Sequence, residues 1–397
     1  MTRRLASAVA AAVLALGVAA AALAAGGPGG PVFGYGAYPR EARAIGFCAL
    51  YAGSVARYRS CLVEHALQLV IASGDPADEL PRIDRYVHSL HGWLENNCHL
   101  LMHAVGRRYG RAEHVTLSSL LHVLPRSNDP GCSAGFAHGL LTYLGPQIER
   151  LGPKGAAADC ERAPTRYQRY SCIHGLGHAY ARLFLDAIMP ALAACSRLGP
   201  ANAPDCAQGV FHDYWIALSG LDSAKRPQDP VTDPRALCGG QPARFVLPCW
   251  YRAFLEHPPR RPVRTSRDVL AVCSGLRSLQ RTGCVVGASL ILSSDPFAQL
   301  AQCRRLRGAD ADACVRGVRV PAIAGYPLAG KLSLIRGCAG FARDAQRGCY
   351  TWLGKALNVV DNGTFAARGC PRLRYAATRR DCLAGARSYE GALVTFS

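Results

Sequence analysis

Eighteen cysteines recur along this 397-residue chain with a beat that leaves little freedom in how it folds. Ten of them, Cys61, Cys98, Cys132, Cys172, Cys206, Cys249, Cys284, Cys314, Cys349 and Cys382, each open a helix-like apolar run. Successive members lie 30 to 43 residues apart, about 36 on average. A period of that length marks stacked supersecondary units. The expected fold is therefore all-α, a solenoid or superhelix of about ten disulfide-stapled helical hairpins.

Each unit has a grammar. A short apolar-periodic helix A, as in SRDVLAVC or SSDPFAQLAQC, begins at Ser or Asp and ends at a cysteine. Ser294 or Asp295 can cap the free amides, and Pro296 suits the first helical position. A polar loop follows, and a second cysteine opens helix B, as in CAQGVFHDYWIALSG. Eight units carry both cysteines, about a dozen residues apart: Cys48 with Cys61, Cys160 with Cys172, Cys195 with Cys206, Cys238 with Cys249, Cys273 with Cys284, Cys303 with Cys314, Cys338 with Cys349, and Cys370 with Cys382. Each pair is expected to bridge helix A to helix B. Closing such a loop stabilises by roughly 2–3 kcal/mol on the chain-entropy view. Cys98 and Cys132 lack helix-A partners and are expected to pair with each other, stapling neighbouring units. In hairpin length and one bridge per hairpin the pattern resembles the disulfide-stapled Sel1-like repeats. The cysteine spacing differs and that family's consensus is absent, so no residue role carries over.

Six units place a glycine three residues after the helix-B cysteine: Gly135, Gly175, Gly209, Gly287, Gly317 and Gly385. Inside a helix each costs roughly 1 kcal/mol relative to alanine. A repeated cost predicts a repeated close approach, here expected to be that of helix A.

The ends and the charge bound the setting. The opening MTRRLASAVAAAVLALGVAAAALAAGG has basic Arg3 and Arg4, an apolar run and a small-x-small site, so residues 1–25 read as a signal peptide or an uncleaved N-terminal membrane anchor. Residues 26–45 read as a flexible linker, 46–257 as histidine-bearing helical repeats and 265–397 as basic, histidine-free repeats. Paired cysteines and a leader imply export to a periplasm, cell envelope or extracellular space. Of a net charge of +19, +14 falls from Pro258 onward. That basic last third suits an anionic polymer or lipid, and the scattered arginines lack the aromatic interleaving that specific nucleic-acid binding needs.

All 12 histidines lie between His65 and His257. Three units read C-x-x-G-x-x-H, ending at His138, His178 and His212; His174 precedes His178 by four residues, and His99 and His103 repeat that spacing. Rings four apart share a helix face and can share a metal ion. With the cysteine at zero, positions +2 and +6 lie at about 200° and about 240° of a helical wheel, so His138, His174, His178 and His212 face one way. Adjacent packed helices about 8–10 Å apart let His174 and His178 take a third ligand from His138 or His212; all four on one ion demand strong curvature. His99 and His103 fall at about 100° and about 140° of the same wheel and join only if their helix is turned differently. Asp213, Glu256, Glu95 and Glu64 are the acidic neighbours able to orient a ring or move a proton.

The expected function is an exported helical-repeat protein with a transition-metal site in its first two-thirds, zinc first, with copper or iron (non-covalent haem included) also compatible with imidazole ligands. The alternative is a metal-free scaffold with a protein or peptide on its concave face. No H-E-x-x-H, G-x-S-x-G, P-loop or dinucleotide fingerprint is present, so no nucleotide cofactor is expected.

Overall fold

The computed structural model describes residues 39–388 apart from 52, 91–92, 125–131, 186, 220–230, 324–325 and 362. The expected signal segment and most of the expected linker lie outside the described residues. Among the described residues the chain is all-helical, without strands. No helix there is long and apolar enough to cross a membrane.

Ten helices carry the ten helix-B cysteines, and we number these alone: α1 Val55–Ser73, α2 Trp93–Ala112, α3 Cys132–Tyr143, α4 Arg166–Leu183, α5 Ala203–Ser219, α6 Ala243–Glu256, α7 Ser278–Leu290, α8 Gly308–Arg316, α9 Arg343–Val360 and α10 Ala376–Arg387. Each packs on the next. Shorter helices lie between them and end at the helix-A cysteines, as Ile188–Ser196 does at Cys195 and Pro296–Cys303 at Cys303. The eight expected A-to-B pairs are disulfides, with Cα–Cα distances of 5.4 to 5.7 Å. Cys98 is disulfide-bonded as well; the side chain of its expected partner, Cys132, lies outside the described residues.

Local signals act as their chemistry dictates. The Asp295 carboxylate accepts from the Phe297 and Ala298 amides, with Pro296 at the first helical position. The next-earlier helix A starts one residue sooner than its sequence suggests. Thr265, not Ser266, is the cap, because its hydroxyl and Asp268 form a reciprocal capping box.

Two expectations are corrected. The linker does not extend to residue 45, because Pro39–Gly46 is helical, with Glu41, Ala42 and Ile45 buried. Glu41 accepts a hydrogen bond from Arg82 at 2.8 Å, which ties this helix to the fold. The recurrent glycines, in turn, do not receive helix A. A β-carbon on Gly135 would sit 2.0 Å from the His99 carbonyl oxygen, one on Gly209 2.0 Å from that of His174, and one on Gly385 1.8 Å from that of Thr351. Each belongs to the preceding helix B. Five of the six glycines let successive B helices touch backbone to backbone, and the sixth, Gly175, receives the Leu141 side chain of the preceding helix B.

These contacts also reveal helix direction. Gly135 meets His99 and Gly139 meets His103, four residues on in both helices, so α2 and α3 run parallel. Tyr170 bonds Gln208 and His178 faces Asp213, so α4 and α5 do too. Helix α6 packs on α7 across residues 258–264, and Val263 within that segment is buried. The division expected there is one of composition and charge, not of packing.

Candidate metal centre

Helices α2 to α5 bring six histidines into one cluster. His99 of α2 stacks on His212 of α5, three helices along, with ring centroids 5.2 Å apart. His138 lies 4.6 Å from His174 and 4.5 Å from His178. His178 lies 4.9 Å from both His103 and His212. His103, His138, His174, His178 and His212 are all buried, and His99 is half-buried. The cluster therefore unites all six histidines singled out in the sequence.

His99 and His103 join for a reason that the wheel conceals. In α4 and α5 the recurrent glycine meets the carbonyl of the residue two past the cysteine: Gly209 on His174. In α2 and α3 it meets the residue one past the cysteine: Gly135 on His99. Helix α2 is thus shifted by one residue, about 100° of rotation, relative to its cysteine. That rotation carries His99 and His103 onto the face used by His174 and His178. Helix α6 has the same one-residue offset, with Gly287 on the Trp250 carbonyl, although Cys249 has its helix-A disulfide, so the cysteine does not mark one zero for every wheel.

Hydrogen bonds fix which nitrogens are available. The Asp213 carboxylate accepts from His178 Nδ1 at 3.0 Å, and Arg182 donates to the same carboxylate from Nε at 2.6 Å and Nη2 at 3.2 Å. The Tyr170 hydroxyl donates to Gln208 Oε1 at 3.0 Å, so its oxygen accepts from His174 Nδ1 at 3.3 Å. Both rings therefore hold their proton on Nδ1 and carry a lone pair on Nε2. Those two Nε2 atoms lie 3.2 Å apart. Two nitrogens of a tetrahedral zinc site, with Zn–N of about 2.0–2.1 Å, are about 3.3 Å apart. Without a cation between them the lone pairs oppose each other. His138 has no hydrogen-bond partner at either ring nitrogen, nor has His103 at Nε2 or His212 at Nδ1, although all these atoms are buried. Buried polar atoms normally find partners, and a set this size is what unfilled ligand positions look like.

The electrostatics keep the rings neutral. Burial pulls His103, His138, His174 and His212 well below the usual imidazole range, helped by neighbouring rings and, for His174 and His212, by the Arg252 guanidinium. Burial also lowers His178, outweighing the Asp213 carboxylate that pulls the other way. Burial pushes Asp213 up, but His178 and Arg182 together hold it below the usual carboxylate range. Neutral imidazoles offer lone pairs without competition from protons. One nitrogen from each of His138, His174, His178 and His212 lies within 4.8 Å of the other three, and the same holds for His99, His103 and His138. The buried histidines could hold a metal ion. A porphyrin has no slot among rings that already touch.

Three neighbours escaped the sequence reading. Tyr170 and Arg182 lie within the motif-bearing helix α4 but carry no motif of their own. Arg252 is buried on α6, 3.3 Å from His174 Nε2 through Nη2 and 3.4 Å from Glu256 through Nη1. An ion that took the His174 lone pair would displace the first contact and leave the second. The signal was present: Arg252 stands three past Cys249, where six other units have glycine. Glu256 also sits 3.3 Å from His212 Nε2, and burial raises its carboxyl against the pull of Arg252. Among the other acidic candidates, Glu64 pairs instead with Arg108 on the surface, and the side chain of Glu95 lies outside the described residues. Beside the cluster on α5, the Tyr214 hydroxyl accepts from the Val231 amide, and Trp215 stacks on His257.

No family model, curated protein or solved structure matches the chain.

Proposed function

We propose that this protein is an exported superhelix of helical hairpins that binds a divalent transition-metal ion among His138, His174, His178 and His212, with zinc the first candidate. The observation that carries the reading is the facing pair of His174 and His178 Nε2 atoms, 3.2 Å apart, each fixed as a lone-pair donor by its own Nδ1 partner. All-imidazole ligation suits zinc and copper alike. Burial of the four rings supports holding or handling an ion over turnover of a bulky substrate. The eight described disulfides support an oxidising, exported setting. The unbroken succession of B-helix contacts, with α9 reaching back to α4, supports the superhelix.

The test is metal analysis of protein purified from an oxidising compartment. At least one equivalent of zinc or copper is expected, with one equivalent lost when His174 and His178 are both replaced by alanine. Metal-free wild-type protein that takes up neither ion would end the reading.

A scaffold role has its own support. A groove of about 900 Å³ runs between residues 200–204 and helices α8–α10. At its wall Arg316 and Lys355 lie 5.9 and 5.5 Å from the Trp352 ring, and Asp312, Asp344 and Asp381 also line it, an arrangement suited to an extended peptide with aromatic and mixed-charge side chains. Binding of a peptide lost in Trp352→Ala, at unchanged metal content, would establish it. Docking of the basic last third on an anionic polymer is a separate proposal, marked by affinity that falls with salt.

A further inference from the structure

The six rings do not surround one point. His99, His103, His138 and His212 are all in mutual ring contact, at 5.0 to 6.3 Å. His138, His174, His178 and His212 are likewise all in mutual contact, at 4.5 to 6.3 Å. These two tetrads share the edge from His138 to His212, and His103 also touches His178 across it at 4.9 Å. Those two shared rings differ in what they can give. His212 meets Glu256 at Nε2, which leaves Nδ1 for a ligand. His138 has both nitrogens buried and neither hydrogen-bonded.

A neutral imidazole has one N–H and one lone pair. A single ion on His138 would use the lone pair and leave the N–H buried with no acceptor, the costly half-satisfied state. Two ions, one on each nitrogen, would satisfy both. The ligand sets already have this form: His138 belongs to one with His99 and His103, and to another with His174, His178 and His212.

Building on the single-ion reading, we propose that the cluster is a two-ion site for divalent transition metals, with the second ion held by His99 and His103 and the His138 ring shared between the two. On taking the second ion His138 gives its remaining N–H proton to solvent and becomes an imidazolate, each nitrogen forming one metal–nitrogen bond; no electron moves. The half-buried His99 marks the side on which ion and proton exchange with solvent. Asp213 and Glu256 lie beside the tetrad of His174 and His178, at His178 and His212, each paired with a guanidinium, Arg182 and Arg252.

Copper(II) is the probe, because two copper(II) ions bridged by one imidazolate couple magnetically. Full-length protein with its disulfides intact, stripped by a chelator, is titrated with copper(II) and desalted. Two retained equivalents are expected, with an electron-spin resonance signal that grows through the first and falls through the second. His99→Ala with His103→Ala should retain one equivalent and the full single-ion signal. One equivalent in the wild type would overturn this proposal and leave the single-ion reading standing. None would overturn both. Two equivalents with additive signals would place the second ion away from His138 and also overturn the proposal. The wild-type titration decides the matter even where the double variant does not fold.

Discussion

The front of the molecule, α2 to α6, and the back, α7 to α10, share one packing scheme and fill it differently. In both, a glycine three past the helix-B cysteine takes the carbonyl of the preceding helix, Gly209 on His174 in front and Gly385 on Thr351 behind. In both, the residue six past that cysteine can turn inward. In front these are His138, His178 and His212; behind, Leu290 and Val320 hold the position and are equally buried, Val320 in a 3-10 turn past the end of α8, while Lys355 and Ser388 are half-buried. The back has no histidine there and closes its interior mostly with apolar side chains, its buried polar groups such as Gln299, Lys331 and Asn358 each having partners. The front closes the same interior with imidazoles, whose nitrogens then need partners. The histidines are thus not required by the fold, and their burial in one half alone is the mark of a second task.

Acid should separate the halves most strongly. The folded-state values of five buried histidines are depressed. The unfolded chain binds protons below about pH 6.5 while the folded one does not, so stability is full above that pH and falls as pH drops toward the folded values. Each ring costs up to about 1.4 kcal/mol per pH unit in that window. Hydrogen exchange of metal-free protein should rise in α3–α5 before α8–α10 as pH is taken from 7 to 5. Equal opening of both halves would break the contrast.

The shared frame should fail equally wherever it is cut. Gly209→Ala and Gly385→Ala each drive a methyl into a backbone carbonyl that cannot move aside, for a loss of about 3 kcal/mol. Denaturant midpoints measure both. A large cost in one half and none in the other would mean that the halves do not share a frame. Replacing the Cys338–Cys349 pair by alanines should cost about 2–3 kcal/mol and leave metal content untouched.

Asp213→Asn and Asp310→Asn sharpen the comparison at finer scale. The first removes the carboxylate that orients His178, and metal affinity should fall about 10–100-fold. The second removes only the half-exposed partner of Arg281, worth at most about 1 kcal/mol, with no change in metal binding. A titration with zinc or copper in each variant reads both outcomes.

Sequence and tertiary structure divided the work along a physical line. Whatever depends on neighbours a dozen residues away was legible in the chain: the eight A-to-B disulfides, the Asp295 cap and the shared face of His138, His174, His178 and His212. Whatever depends on how one helix is turned against the next was not. A wheel needs a zero, and the cysteine gave a false one for His99 and His103, because the contact between α2 and α3 is offset by one residue. The glycines announced a close approach but could not say which helix approached. Arg252 broke the glycine pattern in plain view, yet only the tertiary contact between α4 and α6 put its guanidinium on His174. Periodicity fixes directions within a helix; the contact between helices decides which of those directions meet.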